Sequence, residues 1–191
     1  EGEKAAPVEI GSAEDLQKIG SDAAYPMTGD YVLTEDIDLS GKEWTPFGGY
    51  VGNKGSCNPQ EANVFSGTFD GRGHVVSGLT IDLDGPIESG NYGQVGFFSV
   101  VGSDNADDYA EVRNLIFTDV NIHTDFANSI GSAPLAAIGT LAGEVNGYAR
   151  ISNIAILSGE LNINNLLNCN TVGVGGLIGE CRTENTAIGN G

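Results

Sequence analysis

A chain of 191 residues is long enough for one domain with a real core, and its 8 Lys and Arg against 26 Asp and Glu give a formal charge of −18. That balance excludes nucleic-acid binding, which needs cationic side chains against phosphate, and it excludes docking on an anionic membrane surface. It suits solubility, a surface or secreted protein, or one that takes up cations.

Glycine is abundant, 29 of 191 residues, about twice the usual share of about 7%. The chain is nevertheless 40% hydrophobic, which separates it from low-complexity disorder. Many glycines among many short apolar runs read as an all-β chain with frequent turns. No run of about 18 apolar residues is present, so no transmembrane helix is expected. The opening "EGEKAAPVEI" carries no Met and reads as a mature or trimmed N-terminus.

Near the start, "GSAEDLQKIG" holds a capping box. Ser12 precedes Asp15 by three residues, and Leu16 and Ile19 follow, which predicts a short helix within 12–20. "DYVLTEDIDLSG" places Tyr31, Leu33, Ile37 and Leu39 at alternating positions, a strand pattern. Tyr50 to Asn63 reads as a long polar loop, as does "GSDNADDYAE". Between them, "FSGTFDGRGHVVSGLTI" reads as strand, Asp70-Gly71 turn, strand, bend at Gly78, strand.

Two motifs then alternate. Asn or Gly interrupts apolar runs at Gly78, Asn114, Asn153 and Asn190, at spacings of 36, 39 and 37 residues. Between them lie "VGFFSV" from Val95, "IGTLAG" from Ile138 and "VGGLIG" from Val174, starting 43 and 36 residues apart. A repeat near 37 residues marks a solenoid, propeller or array. The segments alternate apolar and polar residues and are rich in β-branched side chains, and the signature dipeptides of propeller blades are absent. A single-stranded parallel β-helix fits, with the N-terminal helix covering the open edge of its first coil. A sharp bend needs one residue in the left-handed region, which Gly adopts freely and Asn adopts best among the others. Repeated in register, such bends make a structural column whose Asn side chains hydrogen-bond from coil to coil. Residues 31–191 would form the coils of one domain spanning 1–191, and the spacing leaves open whether one coil or two fill each repeat.

The blocks "YVLTEDIDLSGKEWTPFGG" and "FSGTFDGRGHVVSGLTI", with repeats of the "VGGLIG" type, resemble surface proteins of bacteria that carry GLUG-type repeats. Such repeats occur in adhesin-like proteins and in non-catalytic regions of immunoglobulin A1 metallopeptidases. The resemblance covers roughly residues 8–191. It implies a right-handed parallel β-helix in a secreted or surface-anchored bacterial protein, here a fragment of a larger one. The zinc-peptidase motif H-E-x-x-H is absent, so only the scaffold carries over.

Enzymes built on such scaffolds use clustered carboxylates, for which Asp36, Asp38, Asp70 and Asp82 are the candidates. Asp70 heads a turn, and Asp36 and Asp38 alternate with apolar residues, so solvent-facing structural roles are the simpler expectation. His74 and His123 stand without a neighbouring Cys or acid in sequence, and a nucleophilic triad gains no support. Asp104, Asp107, Asp108 and Glu111 offer oxygen ligands of the kind calcium takes, as do Asp82 and Asp84, without the spacing of an EF-hand or a calcium β-roll. Trp44 and Tyr50 belong to an aromatic-rich region and are candidates for stacking on sugar, with core packing as the competing role. Cys57, Cys169 and Cys181 lack zinc spacing; Cys169 and Cys181 either pair or remain buried thiols.

The expected function is a non-catalytic surface module, adhesin-like, that binds a host glycan or protein or acts as a spacer. The alternatives are a polysaccharide hydrolase or lyase, or a structural segment of a secreted peptidase. No cofactor is expected beyond calcium. The sequence stops at "AIGNG" where another coil would begin, which suggests further domains or end-to-end stacking there.

Overall fold

The computed structural model describes residues 6–49, 51–53, 64–84, 91–125, 135–164, 171–182 and 186–189. The chain opens with β1 (Val8–Ile10) and a one-turn helix, α1 (Ala13–Leu16). Then come β2 (Asp30–Leu33), β3 (Ile37–Asp38), β4 (Val51–Asn53) and β5 (Val64–Phe65). A second pass holds β6 (Thr68–Asp70), β7 (Val75–Ser77), β8 (Thr80–Asp84), β9 (Asn91–Val95) and β10 (Phe98–Val101). A third holds β11 (Ala110–Thr118), β12 (Val120–Asp125), β13 (Leu135–Ile138) and β14 (Ala142–Val145). The last holds β15 (Ala149–Ile156), β16 (Gly159–Asn164), β17 (Thr171–Val174), β18 (Ile178–Cys181) and β19 (Thr186–Gly189).

The protein is all-β, and from β2 onward its strands pair with strands of the neighbouring pass, while β1 pairs in parallel with β2, the next strand along the chain. The widest sheet runs β1-β2-β6-β11-β15-β19, with β3 and β7 alongside. Three further sheets run β8-β12-β16, β5-β10-β14-β18 and β4-β9-β13-β17. Val112 lies opposite Phe69 on one side and Ile151 on the other. Ile122 lies between Ile81 and Leu161, and Ile138 between Val95 and Val174. Each third-pass strand therefore has a partner one repeat before it and another one repeat after it, all parallel. One pass fills one repeat, which settles the question that spacing left open. The antiparallel pair β4–β9 departs from this pattern. It also places a strand at 51–53, inside the expected loop 50–63.

Alternation puts one face of strands such as β11 and β12 inside, while β10 and β14 are buried along their whole length. Tyr31, Leu33, Ile37 and Leu39 are all buried, as their spacing predicts. The interior is aromatic: Phe97 stacks on Trp44 and meets Phe47, Phe69, Phe98 and Phe117 edge-on, with ring centroids 5.0–5.9 Å apart. Each such fully buried side chain stabilises the fold by about 1.5–3 kcal/mol.

The helix is shorter than the expected 12–20. Ser12 accepts from the Asp15 amide (3.1 Å) and donates to its carboxylate (2.8 Å), so the capping box forms. After Leu16 the chain tightens into turns: Lys18 N bonds Asp15 O, Ile19 N bonds Leu16 O, and Gly20 adopts φ 78°. Ala13, Leu16 and Ile19 nonetheless reach the core beside the edge strand β1. The Asp70-Gly71 turn also differs from a hairpin. β6 and β7 do not pair with each other; both pair with β11. Residues 71–74 bulge opposite Asn114 and Leu115, with Gly71 N and Gly73 N donating to the carbonyls of Arg113 and Asn114.

Candidate functional site

Asn114 and Asn153 interrupt β11 and β15 at matched positions, with φ 54° and 52°. The left-handed bend turns each side chain along the sheet instead of into the core. Asn153 Nδ2 donates to Asn114 Oδ1 (3.1 Å), and Asn114 Nδ2 donates to Asp70 Oδ1 (3.0 Å). Asp70 ends this run of side chains and does more: its Oδ1 also accepts from Arg72 N, and its Oδ2 accepts from Arg113 Nε (2.9 Å). Burial pushes the Asp70 carboxyl up, but the bonds from Asn114, Arg72 N and Arg113 outweigh it and hold it below the usual carboxylate range. Arg113 is raised, first by its bond to Asp70, and also pairs with Glu111.

These groups lie on the floor of two adjoining depressions on the widest sheet. One, of about 340 Å³, is lined by Tyr31, Thr68, Asp70, Arg72 and Arg113 among others. The other, of about 630 Å³, is lined by Asp70, Arg72, Asn114, Asn153, Ile116 and Ala155 among others. Asp70 and Arg72 belong to both, so the two adjoin as a groove whose charged groups, Asp70, Arg72 and Arg113, stand among apolar surface. Sequence reading missed Arg72 and Arg113. Their signal is scarcity, since the chain has only 8 basic residues and the groove holds two of them.

The remaining candidates fall elsewhere. Gly78 is not in the Asn column. The β11–β7 and β12–β8 registers set it opposite Asp119, which has φ 53° and exchanges bonds with Ser158 (2.8 and 3.0 Å). One left-handed bend thus interrupts β11 and another follows it at Asp119, and because Gly serves either equally well, its identity alone cannot say which column it joins. Asn190, Tyr50, Cys57 and Cys169 lie outside the described residues. Cys181 is a free thiol, raised by burial first and then by Glu180 and Glu144.

The candidate carboxylates Asp36, Asp38 and Asp70 each bond to different partners. Asp36 Oδ1 accepts from Val75 N (2.9 Å) and meets His74 Nδ1 (3.0 Å); both lower it, the backbone bond first. Asp38 accepts from Ser40 N (2.8 Å), and its bonds to Ser40 lower it. Asp82 is exposed on β8, opposite His123. Among the described residues no three His, Cys, Asp or Glu side chains come close enough to hold an ion. Glu111 is paired with Arg113, and the loop before it is shaped by Asn105, which accepts from Asp107 N (3.0 Å) while its own amide bonds Ser103 Oγ. Trp44 is 3% exposed, stacked on Phe97, and donates its indole N–H to Phe97 O (3.1 Å), so no ring face is left for sugar.

Two other features emerge only in three dimensions. A cleft of about 460 Å³ opens between residues 17–21 and 43–49. Glu144, fully buried, accepts from Gln94 Nε2 (2.7 Å) and lies 3.4 Å from Arg182 Nε, which also pairs with Glu180. Glu144 and Glu180 face each other across β14 and β18, a recurrence visible in "LAGEV" and "LIGEC".

These features define an all-β protein of largely parallel sheets, repeating once per pass, with a groove on its widest sheet. No family model matches the chain, and no solved structure matches it. Halomucin of Haloquadratum walsbyi is 29% identical to it over 154 residues, 78% of this chain. The aligned stretch spans 2% of the length of Halomucin. Among the described residues no helix is long and apolar enough to cross a membrane.

Proposed function

We propose that the chain is a stretch of right-handed parallel β-helix serving as a non-catalytic, surface-exposed or secreted module of a much longer protein, which offers its outer groove and cleft to a glycan or protein. Three things support the helical reading: the four sheets, their one-repeat registers, and side-chain bonds that run from pass to pass. The acidic composition suits an exposed module, and the match to a small fraction of Halomucin suits a segment of a large protein. The resemblance to GLUG-type repeats points the same way.

The observation that carries the non-catalytic reading is the bonding of the outer carboxylates. Asp36 and Asp38 anchor backbone amides, and Asp70 closes the Asn column and fixes Arg113. A hydrolase needs a raised acid paired with a free carboxylate; these three are lowered and committed to neighbours. The test is incubation of the purified chain with a polysaccharide panel, scoring both retention and release of reducing or unsaturated ends. Retention without release supports a recognition module. Release that Asp70→Asn abolishes would refute the proposal.

A further inference from the structure

The cleft between residues 17–21 and 43–49 is distinct from the groove on the widest sheet and from the buried Glu144. Its volume of about 460 Å³ falls within the range of small-ligand sites, roughly 300–1,000 Å³. Its lining divides by depth. Ile19, Trp44, Pro46 and Phe47 are buried and make an apolar floor, while Gln17, Ser21, Glu43 and Thr45 are exposed and make a polar rim. Gly48 and Gly49, at φ 92° and 84°, leave the main chain bare along one side.

From this lining we infer that the cleft is a binding site for a neutral pyranose, such as a terminal or side-chain sugar of a glycan. The inference rests on the recognition-module reading above and names its site. The charge of the lining decides the class. Glu43 is the one ionisable residue in it and no basic residue is present, so phosphate, sulfate and carboxylate ligands are repelled. An ammonium or guanidinium group offers only donors, yet the rim carries an amide and two hydroxyls, groups that both donate and accept. Sugar hydroxyls also do both. A carboxylate such as that of Glu43 accepts from two adjacent hydroxyls with charge-assisted strength. The floor suits the apolar C–H face of the ring by contact, although Trp44 has its own face against Phe97 and cannot stack.

The test is a ¹⁵N-resolved NMR titration of the whole chain with methyl glucoside, methyl galactoside, methyl mannoside and methyl glucuronide. At least one neutral glycoside should shift amides confined to 17–21 and 43–49. Glu43→Gln should weaken that affinity about tenfold, the loss expected for a charge-assisted hydrogen bond. Glu43 and Thr45 are exposed, so Glu43→Gln and Thr45→Val should keep the unbound spectrum, which separates lost binding from lost fold. No shift with any neutral glycoside, shifts centred elsewhere, an unchanged affinity in Glu43→Gln, or tighter binding of the glucuronide would each overturn the assignment. None of these outcomes touches the non-catalytic reading, which product release decides.

Discussion

The third and last passes use the same columns of residues in different surroundings. Phe117 and Ile156 are direct partners across β11 and β15, yet Phe117 is fully buried and Ile156 is 37% exposed. Ile138 and Val174 are partners across β13 and β17, at 0% and 48%. Leu115 is buried and its partner Ile154 only partly so. Each pair is apolar and in register, so neither side-chain polarity nor strand position causes the difference. Strands of the third pass are covered from both sides, while β19 covers β15 only along residues 149–152. Burial of a given column is therefore supplied by the next pass, as expected where each repeat contacts only its neighbours.

The largest expected effect breaks that comparison directly. Phe117→Ala should destabilise the fold by about 3–5 kcal/mol, whereas Ile156→Ala, in the same column, should cost about 1 kcal/mol or less. Urea titrations of both variants check it, and equal losses would mean that burial does not follow the neighbouring pass.

Gly143→Ala probes how tightly the two narrow four-stranded sheets approach. A Cβ there would sit 2.6 Å from Val95 N and 2.8 Å from Ala137 O, backbone atoms that cannot swing aside. The expected loss is about 2–3 kcal/mol, at the upper end of overpacking costs. A melting temperature that does not move would show the sheets to be farther apart.

Next come the bends. Asn114→Ala loses both column bonds and pays for a left-handed backbone, about 2 kcal/mol together. Asn114→Gly should recover the backbone part. Asn153→Ala should cost less than Asn114→Ala, because the bonds of Asn114 run to both neighbouring passes. Thermal melts of the three variants give the order, and reversal of the two Ala variants would dismiss the column as a stabilising device.

The smallest effect is on pH. Asp70 is held below the usual carboxylate range, so its contribution is fully present above about pH 4 and is lost as pH falls through its lower folded value. Asp70→Asn should flatten that part of the stability profile. A wild-type profile already flat between about pH 2 and 4 would contradict the assigned bonds.

What the sequence made legible follows from the kind of constraint behind each feature. The starts at Val95, Ile138 and Val174 lie opposite one another, because glycines required by close sheet contact recur at fixed places in the repeat. Asn114 and Asn153 stood out because few residues tolerate φ near +50°. Gly78 misled because a second bend, at Asp119, uses the same conformation, and only strand register separates them. Trp44 looked like a sugar-stacking residue because composition does not reveal the face a ring presents. The ion pair between Glu111 and Arg113 is not legible from the acidic residues alone. The groove was invisible because its walls come from segments paired across passes, and the cleft because residues 17–21 and 43–49 meet only in the folded chain.

The central claim is that from β2 onward strands pair about one repeat apart and not with their sequence neighbours. It is tested most directly by inter-strand NOEs between backbone protons in isotope-labelled protein. The account predicts contacts linking Val112 with Ile151 and Phe69, and Ile122 with Leu161 and Ile81, in the parallel pattern. A ladder of antiparallel contacts between β11 and β12, the signature of a local hairpin, would contradict it.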